Sequence, residues 1–133
     1  MKIDIIIIIL TAMFFVSGLD KIINLTKVAK GLGDRLPLDI PMIILKGMVL
    51  VAILIEILAP IVIYNSVQKP KSLQDKLNKK MRGYYACLSI VIFTIIATLI
   101  YHFPPTKIKY YPFMSNLTTI GGFLLLMHYF DNM

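Results

Sequence analysis

Residues 42–64 read MIILKGMVLVAILIEILAPIVIY, and only Lys46 and Glu56 among them carry a charge. The apolar residues form a continuous block, with neither the 3.6-residue period of a surface helix nor the alternation of a strand. A helix needs about 20 such residues to cross the ~30 Å hydrocarbon core of a bilayer. This stretch therefore predicts a membrane-spanning helix. Three more runs repeat the pattern, at 3–19, 84–103 and 114–130, and the first extends to Ile23 if Asp20 and Lys21 face protein or the interface.

The whole chain agrees with that reading. Its 133 residues are 58% hydrophobic with mean hydropathy +0.80, against about 45–50% apolar residues in soluble domains. The runs are too continuous for barrel strands. The expected fold is all-α, a single integral membrane four-helix bundle with spans at 3–23, 42–64, 84–103 and 114–130, running up-down-up-down. Lys2, an apolar core and Val16-Ser17-Gly18 also fit a secretory signal. The remainder of the chain carries further spans and no soluble domain, so the first run is read as a span.

Proline punctuates the links: Pro37 and Pro41 before the second run, Pro104-Pro105 after the third, Pro112 before the fourth. Tyrosines sort into two interfacial levels, Tyr64, Tyr84, Tyr85 and Tyr129 at one and Tyr101, Tyr110 and Tyr111 at the other. The link 65–83 carries Lys69, Lys71, Lys76, Lys79, Lys80 and Arg82, and Lys2 adds to that side. The opposite side carries Lys21, Lys27, Lys30, Arg35, Lys107 and Lys109. Positive charge favours the cytoplasmic face, so 65–83 is expected there with both termini. The net charge of +7 sits in juxtamembrane links, which points to anionic lipid and away from nucleic acid. In SLQDKLNKKM, Leu73, Leu77 and Met81 recur every four residues, which fits either a short helix lying on the membrane or a solvated loop. Asn24-Leu25-Thr26 and Asn116-Leu117-Thr118 match the glycosylation pattern, but they abut membrane ends and neither is expected to be used.

Polar residues inside a span are costly and usually face protein or a cavity. Glu56 lies about 4.5 Å from the midpoint of its run at 1.5 Å per residue. Ala52, Glu56 and Ala59 share one face, and small residues let helices approach closely. Pro60 frees the Glu56 carbonyl. Such a carboxyl serves either a ligand or proton site, or simply helix adhesion. Lys46 either snorkels or pairs with Asp20. Thr94, Thr98 and His102 form a stripe at steps of four, Asn116, Thr119 and Gly122 one at steps of three, and Ser17, Asp20 and Asn24 one at a step of three and then four. The four-span topology brings Asp20, Lys21, Lys46, His102 and Asn116 to one level. Adjacent residues on a helix do not face one another, so Lys21 is expected to turn toward Glu56, His102 or Asn116. A single cysteine, Cys87, excludes dithiol and Fe–S chemistry within one chain, and His102 and His128 lie at opposite faces. No metal site is expected and no tightly bound cofactor; redox chemistry would need a quinone, a partner subunit, or both.

Four segments, FFVSGLDKIIN, LIEILAP, LIYHFPP and NLTTIGGFLLL, taken in order, resemble the motifs of the DoxX family of integral membrane proteins. The resemblance covers nearly the whole chain. It implies a four-helix protein with Gly18, Lys21, Glu56, His102, Asn116, Gly121 and Gly122 at the family's marked positions. It also implies a link to membrane oxidoreductase complexes, as in the small subunits of thiosulfate:quinone oxidoreductases. Ala59-Pro60 stands where the family has a small Gly-Gly pair, and the second link is more basic. On this reading the chain has no catalytic activity alone and is an accessory oxidoreductase subunit. It would meet other membrane or peripheral subunits, with a polar cavity at Lys21, Glu56, His102, Asn116, Asp20 and Lys46 and helix packing at Gly18, Ala52, Ala59, Gly121 and Gly122. Two alternatives stand beside it: a structural membrane protein scaffolding a larger assembly, such as the lipid layer of a large virus, and a small proton-coupled transporter.

Overall fold

The computed structural model describes residues 2–102 and 109–133. Phe103, Pro104-Pro105 and Lys107, which the sequence assigns to the third link and its boundary, lie outside the described residues. The described chain is all-helical: α1 (Ile3–Ile23), α2 (Leu25–Arg35), α3 (Met42–Ser66), α4 (Leu73–Tyr101) and α5 (Tyr110–Asp131).

Among the described residues, α1, α3 and α4 are long and apolar enough to cross a membrane. With 22 residues α5 is long enough, but Asn116, Thr118, Thr119 and the Gly121-Gly122 pair dilute it, and it falls short in hydropathy. Of the four expected spans, three meet both length and hydropathy among the described residues, and α5 is the more polar fourth helix.

The outward faces carry the same chemistry as the core. Ile9, Val16, Ile43, Val51, Leu54, Leu99 and Leu125 are all exposed. A helix hydrophobic all round suits lipid, because water would select a polar outer face. Inside, Ile7 and Phe14 of α1, Ala59 and Ile63 of α3, Cys87 and Ile90 of α4, and Phe123 and Phe130 of α5 share one cluster. Phe14 meets Phe123 edge-on, ring centroids 5.5 Å apart. Gly83, near the start of α4, lies against the Phe130 ring at the end of α5, and a Cβ there would fall inside it. At the other end Asn116 of α5 reaches Thr98 of α4.

Two elements differ from expectation. The link after α1 holds α2. Its Ala29 and Leu32 pack on Leu45 and Val49 of α3, and Gly33 lies where a Cβ would come within 2.7 Å of Leu45 Cδ1. The basic link is also shorter than expected: α4 starts at Leu73 and runs unbroken into the apolar run, so 73–83 is neither a loop nor a separate surface helix.

The start of α4 is well capped. Ser72 Oγ accepts from Asp75 N at 3.1 Å, and Asp75 Oδ2 accepts from Lys71 N at 2.8 Å. Ser72→Ala is expected to cost about 1 kcal/mol, read as faster hydrogen exchange over 73–76. The Lys71 N–H holds the Asp75 carboxyl below its ordinary value of 3.8. A lowered folded-state pKa stabilises above the unfolded value, and that stability is lost as pH falls through the folded one. This end should therefore fray only in acid, below about pH 4.

Candidate functional site: an ion pair at the wall of an apolar cleft

The close approach of α1 to α3 builds the site. Gly18 is buried, and a Cβ there would lie 2.7 Å from Ile57 Cγ1 and 3.2 Å from Glu56 Cβ. Only glycine lets the two backbones come this near. Ser17, next to Gly18, and Lys21, nearly one turn on, then reach the Glu56 carboxylate. Lys21 Nζ donates to Oε1 and Oε2, both at 2.9 Å, and to Ser17 Oγ at 2.7 Å; Ser17 Oγ donates to Oε1 at 3.3 Å. Glu56 is 3% exposed and Lys21 21%.

This geometry answers the cost of burial. A carboxylate removed from water is tolerated when it is paired and its remaining lone pairs are filled. Glu56 is paired and accepts three hydrogen bonds, and the ammonium spends its three donors on the same cluster. Every buried side-chain polar atom among the described residues has a partner.

A second polar column runs along α4. Thr94 Oγ1 donates to the Ile90 carbonyl at 2.7 Å, Thr98 Oγ1 to the Thr94 carbonyl at 2.6 Å, and Asn116 Nδ2 of α5 donates to Thr98 Oγ1 at 2.9 Å. Between the column and the ion pair lies a cleft of about 780 Å³. Phe14, Val49, Ala52, Phe93 and Ala97 make much of its wall, Lys21, Glu56, Thr94 and Asn116 its polar part, and Val28 and Leu32 of α2 bring that helix to it. The volume lies within the ~300–1,000 Å³ usual for a small-molecule site, and so does the pattern of few polar groups on an apolar wall.

The residues that the sequence marks as a site divide. Lys21, Glu56, Asn116 and Ala52 line the cleft together. Asp20 also lines it, but it is exposed and its Oδ1 accepts from Asn24 Nδ2 at 3.0 Å. The expected Asp20–Lys46 pair is not formed; among the described residues the ion pairs are Lys21–Glu56 and Lys79–Asp75. The reason is α2, which covers the start of α3 where the end of α1 was expected. His102, at the C-terminal cap of α4, is half-buried and lies outside the cleft lining. Its neighbour Tyr101 lines the cleft instead, with the Arg35 guanidinium 4.6 Å from its ring centroid.

The packing residues divide likewise. Gly18 and Ala59 are buried at helix contacts, and at Gly122 a Cβ would come within 3.2 Å of Leu10 Cδ1. Gly121 faces open space and is not a packing residue: one position along a helix is a rotation of 100°. Sequence reasoning misses Gly83, the place of Tyr101 in the cleft wall and the Arg35 guanidinium over its ring. It finds Ser17 only as part of a stripe, and the available signal is its place four residues before Lys21.

No group of three or more metal-ligating side chains occurs among the described residues. No protein-family profile, curated protein or solved structure matches the chain.

Proposed function

We propose that the chain is a DoxX-like four-helix membrane protein, its long helices running up-down-up-down, that serves a membrane redox complex as an accessory or anchoring subunit. It holds a lipid-like ligand in the cleft. The observation that carries this is the Lys21–Glu56–Ser17 cluster, a fully hydrogen-bonded ion pair set in the wall of a large apolar space. Adhesion between α1 and α3 alone would not call for a cleft of this size beside the charges.

The cleft suits a long apolar molecule with a small polar head. A quinone fits this lining: its tail matches the aliphatic wall, and a carbonyl oxygen matches the second N–H of the Asn116 amide, the first being given to Thr98 Oγ1. A bound quinone would supply two-electron, two-proton chemistry to a partner. The residues of this chain bind and orient it. The contacts of Gly83 with Phe130 and of Asn116 with Thr98 support opposed directions for α4 and α5. The basic segment before α4 supports a cytoplasmic placement of that end with both termini.

A short-chain ubiquinone analogue added to the detergent-solubilised protein tests the reading. A ligand that binds only the folded state stabilises it by about 2.7 kcal/mol at a hundredfold excess over Kd. The expected result is a rise of several degrees in Tm for the native chain and none for Ala52→Phe, which fills the cleft while Lys21, Glu56 and Ser17 are left unsubstituted. Equal shifts in both proteins, or none in either, would set the reading aside.

A further inference from the structure

The first three turns of α4 present an apolar stripe that nothing among the described residues covers. Leu73 is 75% exposed, Leu77 49% and Met81 59%. At 100° per residue the three span one narrow face. Lys76 and Lys80 flank that face on one side, and Gln74 and Asn78 on the other. The opposite face is occupied: Lys79 Nζ donates to the carbonyls of Gln68 and Lys69 at 3.3 and 3.2 Å and pairs with Asp75 at 3.5 Å.

The length of α4 decides what can cover the stripe. Gly83 sits at the Phe130 ring, so the four-helix core ends there, beside the interfacial Tyr84 and Tyr85. Leu73 stands eleven residues before Tyr84 on an unbroken helix, about 16 Å along the axis. One headgroup layer is only about 5–7 Å thick. At a typical tilt near 20°, Leu73 and Leu77 remain about 15 and 10 Å out. Met81 lies among the headgroups, but the two leucines stand beyond them. A helix lying on the lipid surface would need a break near Gly83, and α4 has none.

We propose that this projecting stripe is a docking face for an acidic amphipathic helix of a peripheral partner protein. Between Leu73 and Arg82 the segment carries Lys76, Lys79, Lys80 and Arg82 against the single acid Asp75. A second copy of this chain would set Lys76 and Lys80 against their own equivalents, and like charges repel. A partner with leucines at steps of three and four, flanked by glutamates, satisfies both the stripe and its basic edge. This docking face depends on α4 and its charge alone, and is independent of what the cleft binds.

The test uses the full chain in nanodiscs of neutral phosphatidylcholine. The probe is a synthetic helical peptide of leucines and flanking glutamates, compared with its lysine-for-glutamate counterpart. The acidic peptide should bind and the basic one should not. Lys76→Glu with Lys80→Glu, at positions outside the core that leave the fold intact, should weaken binding at least about tenfold and reduce its salt dependence. Leu77→Cys carrying a fluorophore, with Cys87 buried and unreactive, reports on the environment of the stripe. Brominated lipid should leave that fluorophore unquenched, whether or not peptide is bound. Strong quenching would assign the stripe to the membrane surface and overturn the proposal. Equal binding of both peptides, or of neither, would overturn it as well.

Discussion

Lys21→Met is expected to destabilise the folded protein by about 3 kcal/mol, measured by reversible unfolding in mixed micelles. Removing one partner of a buried pair leaves the other charge unpaired, which typically costs about 3–5 kcal/mol. The lower end applies because Lys21 keeps 21% exposure while Glu56 keeps 3%. Glu56→Met alone leaves the ammonium facing Ser17 Oγ and should cost less, since the lysine stem can swing outward. The double variant should recover most of the loss, because two apolar side chains in place of a buried pair are often neutral or better. A coupling of about 2 kcal/mol in that cycle is the expected signature. Additive losses would mean that the pair contributes nothing as a pair.

Gly83→Val is the second large effect, at about 3 kcal/mol. Three atoms of the Phe130 ring lie where the first added carbon would go, and Phe130 is fully buried with nowhere to move. The helices must part or the ring must leave its rotamer. Phe130→Ala should also cost about 3 kcal/mol by opening a cavity. Combined, the two should cost clearly less than their sum, because each supplies or removes the volume the other lacks. A strictly additive result would show that α4 and α5 do not meet at this point.

These two positions mark what can be read from sequence. Runs of apolar residues locate α1, α3 and the apolar part of α4, because a bilayer demands length and continuity and both are visible in a string. Glu56 is legible for the same reason: a carboxyl deep in such a run must be answered by something. Gly83 is not, because the need for a missing side chain arises from Phe130, which lies 47 positions away in the chain. The Asp20–Lys46 pairing fails because it takes the sequence between α1 and α3 for a plain link. Leu25, Val28, Ala29, Leu32 and Leu36 do follow helical spacing there, but Gly31 and Gly33 weaken the signal. The extension of α4 back to Leu73 depends on the Ser72–Asp75 cap, two ordinary polar residues three apart. His102 and Tyr101 are adjacent, and the rotation of α4 alone decides which of them meets the cleft.

A quinone-like lipid in the cleft beside Lys21 and Glu56 is the central expectation. The most direct measurement is mass spectrometry of lipids carried with the protein when it is cut from its membrane in polymer nanodiscs. The native chain should carry an isoprenoid quinone near one per chain, well above its share of the surrounding lipid, and Ala52→Phe should carry it only at that background. Identical lipid profiles for the two proteins would contradict a quinone site in this cleft.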